Sequence, residues 1–269
     1  ADFNGINHLA KSYRDAYVYD GQFSTVRKKL FGRKSETNPG YQFIVFSQNH
    51  DQIGNRKLGE RSSQLYSFEM QKLLAGAVLV SPYIPLLFMG EEWGETTPFQ
   101  YFVSHSKPEL VEAVRKGRQE EFADFHDGAE VPDPLSEETF QRSCLQWNLL
   151  EQEPHRTLLR YYQTLITLRK QHPALRHLNR QNLNVVIQED QKTMVIHRWH
   201  DDQQVLCLMN FTDQAQSVPI PVLEKGWRKM LDSADPQWKG PGASADFPHE
   251  ANSVIVQPES LLIYSLNCE

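Results

Sequence analysis

Hydrophobic patterning divides this chain into a mixed α/β part followed by an all-β part, and two observations carry the division. Between Gln42 and Met89 a short apolar run, a helical period and a second apolar run follow one another, which is the order of a βαβ unit. Beyond Asn182 the helical period gives way to short apolar runs separated by DDQ, DQAQ, Pro and Gly clusters. That spacing belongs to antiparallel strands packed as a small β-sandwich. The boundary falls at Asn179 to Asn182, giving an α/β part over residues 1–180 and a sandwich over 181–269.

The elements follow in order. Asn4 to Val18 places Ile6, Leu9, Ala10, Tyr13 and Tyr17 at helical spacing, with Asn4 positioned as a cap. The basic stretch RKKLFGRKSETNPG reads as a loop closed by the turn signal Pro39-Gly40. Gln42 to Ser47 is a nearly continuous apolar run, as in a strand covered by helices on both faces. Gln64 to Val80 reads as one helix with Leu65, Phe68, Leu73, Ala77 and Val78 on its apolar face, ended by Pro82 and Pro85. Leu86 to Met89 then forms a second short strand, which stops at Gly90-Glu91-Glu92.

Pro108 to Phe125 reads as a helix with Leu110, Val111, Val114, Phe122 and Phe125 turned inward and its KGRQEE run as a solvated face. A longer helix over Pro154 to Gln171 carries Leu158, Leu159, Tyr162, Leu165 and Ile166, and Pro173 stops it. The sandwich strands are Val185–Ile187, Met194–Trp199, Val205–Phe211, Val218–Val222, Trp227–Leu231 and Leu261–Leu266. No internal repeat or low-complexity tract interrupts them.

Composition narrows the function. With 269 residues, 39% hydrophobic and 23% charged, the chain is long enough for a sizeable core and ordinary for a soluble protein. A net charge of −6 disfavours a nucleic-acid partner, which would call for a basic surface. No apolar stretch approaches the roughly 20 residues of a membrane span, and no signal peptide opens the chain. Cys144, Cys207 and Cys268 are odd in number, widely spaced and without C-x-x-C. They argue against a disulfide framework or a zinc site and suit a reducing cytoplasm. The histidines lack metal-ligand spacing and no compact oxygen-rich loop invites calcium, so neither cofactor nor metal is expected. Dinucleotide fingerprint, P-loop, nucleophile elbow and H-E-x-x-H are all missing. The opening Ala1-Asp2-Phe3 hints at a trimmed segment.

The candidate site lies in FIVFSQNHDQIGN, residues 43–55. In βα barrels the active groups follow the carboxyl ends of the strands. Asp51 lies four residues beyond Ser47, and Glu91 and Glu92 follow the second strand in the same way. If the two strands are neighbours, these acids and His50 converge on one rim. Glycoside hydrolysis needs such carboxylates, one to protonate the leaving oxygen and another to attack or stabilise the oxocarbenium-like transition state. His and Asn serve as neutral partners for sugar hydroxyls, and Trp93 and Tyr101 offer faces for sugar rings. Other readings stay open. An Asn49-His50-Asp51 loop serves equally well as a helix cap, and Glu91-Glu92 as acids in a first helical turn. The stretch Trp93 to Phe102 reads more readily as packing, and His197, Trp199 and His200 as strand surface or core.

At these residues a family resemblance enters. FSQNHDQIGNRKLGER resembles the seventh-strand motif of the maltooligosyltrehalose trehalohydrolases, members of the α-amylase superfamily (glycoside hydrolase family 13). PLLFMGEEWGETTPFQYF resembles their eighth strand and its loop, and ELVEAVRKGRQEEFADF the helix that follows. LITLRKQHPAL is similar to the last barrel helix of many amylase-type enzymes and LLIYSL to their closing C-terminal strand. The resemblance thus implies strands 7–8 of a (β/α)8 TIM barrel with their helices, followed by the β-sandwich. It implies retaining hydrolysis of the α-1,4 bond next to the trehalose end of maltooligosyltrehalose, or of a related α-glucan.

The same resemblance assigns roles. Asp51 matches the carboxylate that distorts substrate and stabilises the transition state, and His50 the histidine that hydrogen-bonds sugar hydroxyls beside the cleaved bond. Glu92, with Glu91, matches the acidic pair after the eighth strand. Asn49, Gln52, Arg56 and Trp93 fall in the same substrate-binding motifs. FSTVRKKLFGRK resembles a family loop of the pattern Tyr-Ser-x-aromatic-Arg-Gly-Arg-Arg-His-Gly at the trehalose end of the cleft, and Arg27 keeps its arginine. Val26 replaces the aromatic, Lys28 the first glycine and Phe31 the histidine.

The family's nucleophilic aspartate and acid glutamate follow the fourth and fifth strands. The opening of this chain already matches the region after the sixth. The expectation is therefore a C-terminal fragment, inactive alone, of a larger hydrolase. A glycogen-branching or other amylase-family enzyme is the enzymatic alternative, and a non-catalytic carbohydrate-binding module the alternative from another class. Open sheet edges left by a partial barrel imply self-association or a homodimer.

Overall fold

A computed structural model describes residues 2–3, 5–123, 130–220, 226–246 and 252–267. Helix α1 (Gly5–Asp15) leads into strands β1 (Asp20–Ser24) and β2 (Lys29–Gly32), then β3 (Ile44–Val45) and the short helices α2 (His50–Gly54) and α3 (Ser62–Leu65). There follow α4 (Phe68–Leu79), β4 (Ile84–Pro85), α5 (Pro108–Glu121), α6 (Glu137–Gln141), α7 (His155–Gln171) and α8 (Pro173–Arg176). The remaining strands are β5 (Leu183–Gln188), β6 (Thr193–His200), β7 (Gln203–Asn210), β8 (Gln216–Pro219), β9 (Arg228–Asp232), β10 (Ser253–Val256) and β11 (Ser260–Asn267). Two compact units result. The first gathers Ala1–Val45, Lys72–Leu86 and Arg160–Glu269, the second Phe46–Gln71 and Leu87–Leu159.

The first unit is built on an antiparallel sheet in the order β5-β6-β7-β11-β9, with β8 and β10 forming a separate antiparallel pair. Side chains alternate across a pleated strand. Val195 on β6, Leu206 and Leu208 on β7, and Leu262, Tyr264 and Leu266 on β11 therefore share one face. Val218, Val254 and Val256 from the β8–β10 pair complete the same core, so the two sheets close on one another as a sandwich. The other face is buried as well. Met194, Ile196, Cys207, Met209, Leu261 and Ile263 are all shielded from solvent, which is why β7 and β11 read as continuous apolar runs. Helix α4 contributes to that cover. A Cβ on Gly76 would lie 2.1 Å from Leu261 Cδ2, so any larger residue here requires Leu261 to shift.

Buried cations bind loose carbonyls in this unit. Lys72 donates to Ser233 O (2.7 Å) and Trp238 O (3.0 Å). Arg169 donates to the carbonyls of Leu79, Ser81 and Tyr83. Arg198, only 1% exposed, donates to Val80 O (2.8 Å), Ser81 O (3.1 Å) and His177 O (2.6 Å). Burial lowers its pKa to about 9. Together these donors satisfy main-chain acceptors at helix ends and turns in the interior.

Several elements depart from the sequence reading, each for a physical reason. The basic loop contains β2, which pairs with β1 through Phe23↔Leu30 and Ser24↔Lys29 across a turn in which Lys28 has φ +53°. The helix read over Gln64 to Val80 is two helices. Tyr66 is extended, and Ser67 Oγ accepts from Met70 N (2.9 Å), starting α4 afresh. The first βαβ strand shrinks to Ile44–Val45, and the second lies at Ile84–Pro85 rather than Leu86–Met89. Their pairing is parallel. Ile84 N donates to Phe43 O (3.0 Å) and Leu86 N to Val45 O (2.8 Å), so Pro85 occupies the one position that needs no donor.

Leu110, read as inward, is 42% exposed, while Phe122 is buried. Strand β10 went unread because Ile255, apolar yet exposed, blurs the alternation of a half-buried strand. Asn4, Phe125 and the end of the run Val218–Val222 lie outside the described residues.

Candidate functional site

The second unit holds most of the candidate residues, and its local structure begins with a cap. Asn49 has extended φ and ψ (−146°, −173°), and its side chain accepts from Asp51 N (2.8 Å) and Gln52 N (3.4 Å). Gln52 Oε1 returns the favour to Asn49 N (3.0 Å), completing a capping box. Asn49 and Gln52 are thus engaged in fixing the turn. What the turn presents is His50 and Asp51, whose side chains are 69% and 67% exposed, with His50 Nε2 3.3 Å from Asp51 Oδ1. The capping pair and the exposed pair are therefore different members of one motif.

Both ends of this turn are anchored. Gln48 is buried, and its Oε1 accepts from Ser62 N (3.1 Å). Ile53 is buried behind α2, and Gly54 O accepts from Arg118 Nη2 (3.1 Å). Arg56 pairs with Glu60 (Nε to Oε2 3.3 Å) on a partly exposed face. Burial opposes ionisation of Glu60, but main-chain donors and Arg56 outweigh it and hold the carboxyl below its ordinary range.

Arg61 ends the same motif and joins it to the second one. It is 1% exposed, and donates from Nε to Thr97 O (2.7 Å) and from Nη1 to Met89 O (2.7 Å). Its guanidinium lies 5.1 Å from the Phe88 ring. Burial lowers its pKa, and the charges of Glu95, Glu91 and Glu92 oppose that shift.

Glu91, Glu92 and Trp93 form one 3-10 turn between Gly90 (φ 90°) and Gly94 (φ 68°), both left-handed. Glu91 is buried and accepts from Phe88 N (3.0 Å); Glu92 accepts from Gly90 N (3.1 Å). Both acids brace their own loop. Trp93 is turned inward, 3% exposed, with its carbonyl accepting from His155 Nδ1 (2.8 Å). The indole offered to solvent is Trp147, 64% exposed and packed on Trp93 at 5.3 Å between ring centroids.

Glu95 was missed by the sequence reading. It is fully buried and accepts from Thr96 N (2.8 Å), Thr97 N (2.9 Å), Thr97 Oγ1 (2.6 Å) and Gln146 N (2.7 Å). Desolvation raises its pKa, yet these donors prevail and hold it below the ordinary value of 4.5. The Thr96-Thr97 pair directly after it was the one local signal of such a carboxylate, since its other partner lies 51 residues away.

Arg27 belongs to the first unit, at the β1–β2 turn. Its guanidinium stacks over Phe31 at 4.1 Å, and its main-chain N donates to Ser24 Oγ (2.9 Å). Among the described residues no group of three His, Cys, Asp or Glu is placed to hold a metal ion. The chemistry on offer is an exposed carboxylate and imidazole on a rigid turn, suited to neutral polyols and to stabilising developing positive charge.

Residues 182–256 match a family model described as "Domain of unknown function (DUF3459)". The fold is similar to that of a Salmonella typhimurium protein named for alpha amylase, with TM-score 0.78 and 32% identity over 97% of this chain and 41% of that one. An isomaltulose synthase from Protaminobacter rubrum shares the fold at TM-score 0.51 and 15% identity, over 84% of this chain and 43% of that one. By sequence and fold the chain is similar to proteins of the alpha-amylase type.

Its sequence relatives include malto-oligosyltrehalose trehalohydrolases. That of Rhizobium sp. (strain M-11) is 41% identical over 225 residues, which is 82% of this chain and 37% of the relative. The chain therefore spans well under half the length of the curated relatives it matches.

Proposed function

We propose that the chain is part of a retaining glycoside hydrolase that cleaves the α-1,4 bond beside the trehalose end of maltooligosyltrehalose and releases trehalose. The observation that carries this reading is the capped turn presenting His50 and Asp51 to solvent, in a chain whose relatives bear the trehalohydrolase name. Asp51 stabilises the oxocarbenium-like transition state, because an oriented carboxylate interacts more strongly with a full positive charge than with a neutral sugar. His50 hydrogen-bonds hydroxyls of the ring being distorted, and the capping box keeps both side chains aimed before substrate arrives. Glu91 and Glu92 shape the neighbouring loop, with Arg56 as a further substrate contact. Retaining hydrolysis needs a nucleophile and an acid about 5–5.5 Å apart. The motifs matched here supply neither, so this chain alone is inactive.

The test is Asp51→Asn in the full-length parent enzyme. Trehalose release from maltooligosyltrehalose is expected to fall about 10²–10³-fold, the usual cost of losing one oriented electrostatic partner, with the circular dichroism spectrum unchanged. Retention of activity within threefold would overturn the role. Product analysis of the parent separates this reading from a branching enzyme, which would yield α-1,6 linkages and no trehalose. Strong hydrolysis of glucan by the present chain alone would sink the claim that it lacks its two principal carboxylates.

A further inference from the structure

The first unit contains a concavity that the proposed hydrolysis does not use. It has a volume of about 630 Å³ and is walled by the end of α1, the 36–41 loop, the 177–181 connection and the end of β6. That volume lies in the range of small-molecule sites. All of its lining residues belong to this one unit.

The lining defines the chemistry of an occupant by elimination. Its charges balance and are locally engaged. Arg180 donates to Ser35 O (2.7 Å), Asn38 O (2.9 Å) and Arg14 O (3.1 Å), and stacks on Phe43 at 5.2 Å. Asp15 pairs with Lys11 at 3.2 Å and Glu36 with Lys34 at 3.3 Å. A phosphate or other strong anion finds no concentrated positive field. Leu178 and Pro39 are the few aliphatic groups, so a lipophilic ligand finds little area to bury.

What remains is flat rings and amides. Tyr41 is 61% exposed. His177 and His200 are stacked face to face, 3.6 Å between centroids and 11° between planes. Asn179 Oδ1 accepts from Gln181 N (2.9 Å), and Asn179 Nδ2 donates to Asn182 Oδ1 (3.2 Å), so this wall is ordered in advance. Pyranose rings present apolar C–H faces and a rim of hydroxyls that both donate and accept. Aromatic faces match the first, and amides and imidazole nitrogens match the second. Desolvation and the neighbouring His200 lower the pKa of His177, keeping its imidazole neutral near pH 7.

We propose that this concavity is a second, non-hydrolytic binding site for a short neutral α-glucan, with Tyr41 as the platform and the His177–His200 stack as a further part of its lining. The choice of α-glucan rests on the substrate class proposed above; the concavity rests on its own geometry. Such a site would hold a long substrate on the protein between cleavage events.

The experiment is an imidazole NMR titration of this chain with maltotriose and, separately, with cellotriose. Maltotriose is expected to shift the His177 and His200 ring protons saturably in the millimolar range, with cellotriose weaker. Tyr41→Ala should weaken maltotriose binding about tenfold, a loss of 1.4 kcal/mol, and Asp51→Asn should leave it unchanged. No shift at tens of millimolar maltotriose, equal affinity in Tyr41→Ala, loss of binding in Asp51→Asn, or preference for cellotriose would each overturn the proposal. A parent enzyme that releases no trehalose, with maltotriose still shifting His177 here, would overturn the hydrolytic reading and leave this one standing.

Discussion

A carboxylate withdrawn from water stays ionised only where enough donors surround it, and Glu95 meets that condition with donors from Thr96, Thr97 and Gln146. Its folded pKa lies below 4.5. The associated stability is therefore fully present above about pH 4.5 and is lost as pH falls through the lowered folded value. Glu95→Gln keeps the shape but replaces an acceptor with a donor facing N–H groups. We expect a loss of about 1–3 kcal/mol at neutral pH and a shallower acid limb, both read from urea midpoints between pH 3 and pH 7. A variant as stable as the parent at pH 7 would contradict this role. At the residue scale, legibility followed locality. The Asn49-His50-Asp51-Gln52 cap closes within four positions and stood out in the sequence. Glu95 depends on a partner half a unit away along the chain, and Trp147 depends on Trp93, so neither could be weighed from neighbours alone.

Elements succeed or fail by what covers them. Strands β7 and β11 were readable because both of their faces are buried, which leaves uninterrupted apolar runs. The basic hairpin and β10 were not. Leu30 is 72% exposed and Ile255 54%, so the alternation that marks a half-buried strand is blurred. The break between α3 and α4 turns on a single Ser67 hydroxyl that a periodicity count passes over. The α4–β11 contact is open to a direct test. Gly76→Ala places a methyl against Leu261 Cδ2. The helix gains propensity worth about 1 kcal/mol but loses about 1–3 kcal/mol to overpacking. A net loss is expected, and a lower denaturation midpoint with an unchanged m-value would show it. Gly76→Ala with a raised midpoint would mean that β11 yields freely.

For the molecule as a whole, the hydrophobic period changes once, and strands β5 to β11 all follow that change. The compact units instead interleave three stretches of chain in one and two in the other, an arrangement set by long-range contacts that periodicity does not encode. The parallel β3–β4 pair is a two-stranded sheet with Ile44 59% and Ile84 39% exposed. Unpaired edges with apolar flanks template association. This chain is expected to self-associate as concentration rises, and light scattering that reports a monomer throughout would refute it.

Arg198 sets a rule for anyone who would exchange the sandwich for another. It springs from β6, yet three of the acceptors it serves, Val80, Ser81 and His177, precede the connection at 179–182. Lys72 reaches the opposite way, from α4 to the carbonyls of Ser233 and Trp238. A chimera joined at that connection therefore inherits a seam with two keys, one cut on each side. A donor sandwich lacking an arginine at the Arg198 position leaves helix-end carbonyls unmatched. One lacking the 233–238 turn strands a buried ammonium. The natural unit of exchange is the sandwich together with α4, α7 and α8, even though the chain runs through other structure between them.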